Sequence, residues 1–471
     1  MNNIKMFNGY RKSIAVLLVI LIGCLTGILS TYPMLSLFLL GGIIAAFFCW
    51  YIYNNPEHGL IILFIGFLIN PMIISKIIPS ILHLSPSMSN MLGMWKEGVL
   101  FILALRVLSM KKEINKNAIL TCATVLMLFS LIYIFVNQNF IHGIMGYRFY
   151  FETMTLFFVV NKLEMHKRFF QTFIRIFSIF VFLMAAWSLV VSLFLGYQFM
   201  FDVGYTNYNG VPHFSYLISG HLGYLRTFGT LSAPNNYGLF VDVSIMLLLI
   251  FKEEFKNKLF LNLNLLLQVV VLSLTYSRSA WIGLLIALFI YFITSKPNVR
   301  FKFILFSFYA AFSFLIYCVL VPDNPVVNFF INTVTLRDTS AMGHLNSWAG
   351  DIKFILSHPL GIGLGNAGPK AFELTGVYLN PEISFYTVAY EMGILGMVLF
   401  FIFNVFSIIY LFKKSKKTAL SDMFHSKLYL LSGLSWLIVF MSYFFLPMVQ
   451  EMEVTLIPYF MASISLSYKK Y

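Results

Sequence analysis

The sequence is short of charge: only 11% of its 471 residues are Asp, Glu, Lys or Arg, and just 18 are acidic. That is too few to clothe a soluble domain of this size. Cysteine is scarce too. Cys24, Cys49, Cys122 and Cys318 all fall in apolar runs and none forms a C-x-x-C pair, which argues against a disulfide framework or a thiolate metal centre and leaves them as small core residues. No repeat relates the two halves of the chain, so the usual mark of an alternating-access transporter is missing. The first apolar run follows Lys5, Arg11 and Lys12 without a small-residue cleavage site, and reads as a retained helix.

What the chain has in excess is apolar length: 59% of it is hydrophobic and 52 residues are Phe. Runs of about 17 or more apolar residues, enough to cross roughly 30 Å of hydrocarbon, recur from end to end. They predict an all-α polytopic membrane protein, one integral membrane domain over 1–471. Its 14 spans are centred near 13–30, 34–53, 60–75, 95–109, 118–136, 147–161, 169–196, 236–251, 259–275, 279–295, 303–321, 384–412, 428–446 and 453–467. With the N-terminus inside, KKEINK, NKLEMHKR, KEEFKNK, SKPNVRFK, KKSKK and the final YKK all face the cytoplasm, as does the C-terminus. The formal charge of +14 is then topology signal and attraction to anionic membrane lipids, and needs no nucleic-acid partner.

Lys76, Lys96, Arg148, Arg226, Arg278, Arg337, Lys353 and Lys370 fall against this bias, outside or at the outer edge. Two outer loops are also long, 197–235 and 322–383, and long loops on a rigid scaffold tend to carry function. The second contains GLGNAG, Gly363–Gly368, which spells the dinucleotide fingerprint G-x-G-x-x-G. The fingerprint has meaning only between a strand and a helix of a parallel unit, and no β-branched strand precedes it here. The glycines instead suit a tight turn or a close backbone approach.

Arg226 stands in YLRTFGTLSAPNNYG and Arg278 in LTYSRSAWIG, each at the outer end of a span. A guanidinium there offers a fixed fork of donors to phosphate oxygens; the plainer alternative is snorkelling to headgroups. In TLRDTSAMGHLNSWAGDIKFILSHPLG, Leu345, Trp348, Ile352 and Ile355 recur at helical spacing, which predicts an amphipathic helix on the membrane surface. Before it stand Arg337, a phosphate or lipid ligand, and His344, a general base or, once protonated, a phosphate donor. His358 is a weaker candidate of the same kind. Glu382, at the rim in NPEISFYTVAYEMGILG, is the better base; Glu391, deeper, and Asp242, within 236–251, are carboxylates at membrane depth with supporting roles in packing or function.

Four stretches, RTFGTLSAPNNYG, LTYSRSAWIG, HLNSWAGDIKFILSHPLGIGLG and PEISFYTVAYEMGILG, in that order over 226–397, together resemble the family of O-antigen ligases and O-antigen-type polysaccharide polymerases. The resemblance implies a class C-like glycosyltransferase of the plasma (inner) membrane that needs no metal or other cofactor. It would take oligosaccharides on undecaprenyl pyrophosphate and transfer them with inversion at the outer face. It also implies that Arg226 and Arg278 hold the pyrophosphate and that a residue at the start of the 384–412 span takes the acceptor proton. A flippase and a chain-length regulator are the partners expected beside it.

The chain departs from the ligase pattern where a His-Asn pair is replaced by Glu382-Ile383 and a loop arginine by His344. The first change favours a polymerase of capsular or exopolysaccharide repeats. A ligase to a lipid or wall acceptor is the alternative within the family, and a flippase or transporter of lipid-linked sugar the alternative outside it.

Overall fold

The computed structural model describes residues 33–111, 117–137, 139–205, 216–218, 221–294, 339–377 and 379–469. The expected spans at 13–30 and 303–321 lie outside them.

In chain order the helices are α1 (Pro33–Asn54), α2 (Pro56–Ile81), α3 (Pro86–Gly93), α4 (Trp95–Ser109), α5 (Ala118–Val136), α6 (Phe140–Phe151), α7 (Leu156–Asn161) and α8 (Lys167–Asp202). There follow α9 (Pro234–Ile250), α10 (Lys258–Leu274), α11 (Arg278–Thr294), α12 (Thr339–Ser357), α13 (Ala371–Thr375), α14 (Ser384–Thr418), α15 (Met423–Ser442) and α16 (Met452–Leu466). Two short pairings complete them: β1 (Met165–His166) runs parallel to β4 (Tyr468–Lys469), and β2 (Leu217–Ile218) antiparallel to β3 (His221–Leu225). Helices α2, α5, α8, α14 and α15 are long and apolar enough to cross a membrane, and α9, α10, α11 and α16 are shorter apolar helices. The protein is an all-α integral membrane protein.

α9 and α16 form the centre: nearly every residue of each is buried, with α15 packed against both and α10 and α11 against α9. The phenylalanines do much of the filling, with Phe64, Phe173, Phe177 and Phe460 clustered between α2, α8 and α16. Small hydroxyls let helices approach closely, as Ser432 Oγ donates to Met461 O at 2.8 Å, and one buried polar pair, Trp436 Nε1 to Asn404 Oδ1 at 2.8 Å, ties α15 to α14.

The expected helix over 147–161 is broken. α6 ends at Phe151, a 3₁₀ turn covers Thr153–Thr155, and α7 resumes at Leu156. Thr155 Oγ1 donates back to the Glu152 carbonyl at 2.5 Å, a local bond that competes with the α-helical ladder. α2 loosens to a π turn over Asn70–Ile77, where Pro71 removes a donor; Met72 N turns to the Thr230 carbonyl at 3.2 Å and so docks the segment before α9 on α2.

Candidate active site

The site grows from the segment after β3. Arg226 N donates to Tyr216 O at 2.9 Å, and the next residues run over the C-terminal end of α10, where helix carbonyls lack partners. Thr227 N donates to Leu274 O at 3.0 Å, and its Oγ1 adds a second bond at 2.8 Å to Val271 O, which also accepts Thr275 N. The Arg226 guanidinium caps the carbonyl beyond it, Nε to Thr275 O at 2.7 Å, while Nη2 reaches Asn235 Oδ1 at 2.8 Å on the first turn of α9.

Three residues, Thr275 to Ser277, turn α10 into α11, and Tyr276 takes the left-handed region at φ 49° to make so short a link. Arg278 therefore opens α11 at its positive dipole end. Burial first, and then the charge of Arg278, push the pKa of Arg226 down to about 10, so it stays cationic at neutral pH. Two guanidiniums from separate segments thus act on each other across the turn. Such an arrangement repels internally, and an anion shared between them reverses the sign.

Facing this segment is the link from α15 to α16. Ser232 Oγ donates to Glu453, Asn236 Nδ2 reaches Glu453 Oε1 at 3.0 Å, and Glu451 Oε2 lies 3.4 Å from Ser232 Oγ and 3.8 Å from Lys370 Nζ. Tyr216 donates to the Ser232 carbonyl; burial first, and then the charges of Glu451 and Glu453, raise its pKa.

The GLGNAG loop has another occupant for its amides. Gly365 N at 2.8 Å and Ala367 N at 3.0 Å both donate to Glu391 Oε1, while Gln450 Nε2 reaches Oε2 at 3.3 Å and the Ala367 carbonyl at 2.8 Å. The chain's own buried carboxylate fills the cradle that a phosphate would need. Gly365 (φ 82°) has no alternative, since a Cβ there would stand 2.4 Å from the His142 carbonyl. α14 opens at Gly393 (φ 69°), and the loop enters that kink through Ile394 N to Pro359 O at 2.9 Å and Gly363 N to Glu391 O at 3.0 Å.

Glu382 belongs to a different cluster. Its backbone N–H donates to Asp351 Oδ2 at 3.3 Å, and the Tyr390 hydroxyl to Asp351 Oδ1 at 2.8 Å. Burial raises the Asp351 carboxyl, the Tyr390 and Glu382 bonds oppose that, and the Glu382 charge adds to it. Asp242 is fully buried on α9, with neither carboxyl oxygen hydrogen-bonded among the described residues and Gly283 of α11 leaving room beside it. His344 lies within α12, which begins at Thr339, earlier than the spacing predicts; its side chain is not among those described. Arg337 lies outside the described residues. His358 stacks on Phe354 at the exposed end of α12. Arg148 is held elsewhere, pairing with Glu97 and, at 2.9 Å, with Glu152, while Lys96 is buried over the Phe67 ring at 4.6 Å with its Nζ 3.7 Å from Met452 Sδ at the start of α16. Among the described residues no group of three His, Cys, Asp or Glu side chains is arranged to hold a metal ion.

The structure therefore brings Arg226 and Arg278 together, and adds Asn235, Ser232, Glu451, Glu453 and Lys370. The two glutamates escape a reading from sequence because MVQEMEV merges into the last apolar run. Their signal is scarcity, two acids two positions apart at a span end in a chain with 18.

Residues 263–401 match the family model described as O-Antigen ligase. An O-antigen polymerase of Salmonella muenchen is 24% identical over 270 residues, 55% of this chain and 66% of that protein, just under two thirds of its length. Both findings support the O-antigen ligase and polymerase family. The family match contains Arg278, the GLGNAG loop, Glu382 and Glu391; Arg226 and Glu451 lie outside it and join it through the fold.

Proposed function

We propose that this protein polymerises undecaprenyl-pyrophosphate-linked oligosaccharide repeats into a surface polysaccharide, by glycosyl transfer at the outer face of the plasma membrane. Fourteen spans, both termini in the cytoplasm and a class C-like arrangement with outer loops at 197–235 and 322–383 belong to this proposal. The observation that carries it is the seat of the Arg226 guanidinium on the Thr275 carbonyl at 2.7 Å, three residues before Arg278, which opens α11. A diphosphate leaving group gains negative charge as the glycosidic bond breaks, so preorganised guanidiniums stabilise the transition state more than the ground state. Each is expected to contribute about 2–4 kcal/mol.

Arg337 and His344 would extend the anion site from α12. One carboxylate or histidine, adding about 10² to 10⁴ in rate, takes the acceptor proton, with Glu382 and His344 the candidates from the sequence pattern. Glu391 and Asp242 support: Glu391 holds the GLGNAG loop against α14, and Asp242 sits at the packing of α9 on α11. A flippase supplying the repeats and a chain-length regulator complete the expected partners.

The test is reconstitution with purified lipid-linked repeats in the presence of a chelator. Continued growth of long lipid-linked chains is expected, since the arginines supply the positive charge. Transfer only to a separate acceptor would favour a ligase, and translocation without new glycosidic bonds a transporter. Growth abolished by the chelator and restored by a divalent cation would overturn the metal-independent part.

A further inference from the structure

Glu451, at the end of the α15–α16 link, and Glu453, in the first turn of α16, lie two residues apart and face different partners. Glu453 Oε1 receives the Ser232 hydroxyl, the Asn236 amide at 3.0 Å and the Ser232 backbone N–H at 3.4 Å, a set that pins the start of α9 to α16. Glu451, the residue before α16, lies 3.4 Å from Ser232 Oγ and 3.8 Å from Lys370 Nζ, and its side chain keeps 12% of its exposure. Ser232 is one turn of chain from Asn235, which holds Nη2 of Arg226. Glu451 therefore stands at the edge of the arginine segment, with a reachable carboxylate and a lysine as counter-ion.

We infer that Glu451 is the catalytic base for the acceptor hydroxyl, a role that rests on the glycosyl-transfer proposal above and moves the proton acceptor from Glu382 to the α15–α16 link. An acceptor lone pair forms the new bond to the anomeric carbon of the donor. The bond from that carbon to the diphosphate oxygen breaks, and its electron pair leaves with the diphosphate on Arg226 and Arg278. The hydroxyl proton passes to the Glu451 carboxylate and is released to water before the next cycle. Glu382 is placed otherwise: its backbone helps fix Asp351, whose second oxygen is held by Tyr390, so that cluster joins α12 to α14.

The experiment compares the full chain with Glu451→Gln and Glu451→Asp in lipid nanodiscs supplied with purified lipid-linked repeats. Glu451→Gln keeps the acceptor for Ser232 but cannot take a proton; turnover is expected to fall about 100-fold or more while KM for the lipid-linked donor stays within about threefold. Glu451→Asp, which keeps a carboxylate, is expected to retain part of the turnover with its acid pH limb. Turnover of Glu451→Gln within threefold of the parent, or a raised KM with kcat intact, would overturn the assignment. A Glu451→Asp protein as inactive as Glu451→Gln, with parental thermal unfolding, would do the same. Failure of the parent protein to form any glycosidic bond would instead bring down the proposed function itself.

Discussion

Arg278→Ala is expected to insert and fold like the parent protein yet to stop chain growth, leaving single lipid-linked repeats where the parent makes a ladder. Losing one preorganised donor to a developing anion costs about 3–4 kcal/mol, or 10² to 10³ in rate. Arg226→Ala is expected to reach a similar floor, with a further penalty, because its guanidinium also caps the Thr275 carbonyl and positions Asn235. The double variant should be little worse than either single one, since both residues serve one anion. Lysine at 278 should recover a fraction of the rate, a point charge without the planar fork. Gel electrophoresis of the lipid-linked glycan reads all four. Parental ladders in both alanine variants would contradict the account.

The second large effect is on stability. Glu391→Ala removes the acceptor for Gly365 and Ala367, leaving two buried N–H groups, at about 1–3 kcal/mol each. It also strands Gln450 and loosens the loop from the α14 kink at Gly393. A loss of roughly 2–6 kcal/mol is expected, seen as a marked fall in thermal midpoint of the detergent-solubilised protein. Glu391→Gln, whose amide oxygen still accepts both bonds, should lose much less. Equal midpoints for the parent and Glu391→Ala would show that the carboxylate does not hold the loop.

The helical membrane class was legible because apolar runs of spanning length announce themselves regardless of tertiary context. The break at Glu152 was not, because the bond from Thr155 that ends α6 leaves the apolar pattern of 147–161 intact. The same division holds in the site. Arg226 and Arg278 stood out as cations against the inside-positive bias, and GLGNAG could be refused as a nucleotide loop for want of a strand. What fills the loop could not be foreseen: Glu391 looked like a depth-dependent functional acid, and only the folded chain shows its oxygen under the Gly365 and Ala367 amides. Glu451 carried a weak signal, since its role depends on a meeting between residue 232 and residue 451, a separation no local pattern encodes.

The central claim is that two guanidiniums from separate segments converge on one diphosphate, and the direct measurement is equilibrium binding of undecaprenyl pyrophosphate to the protein in nanodiscs. The account predicts that Arg226→Ala and Arg278→Ala each weaken binding by about tenfold or more, with a coupled rather than additive loss in the double variant and steep weakening by added inorganic pyrophosphate. Unchanged affinity in both single variants, or strictly additive small losses, would contradict it.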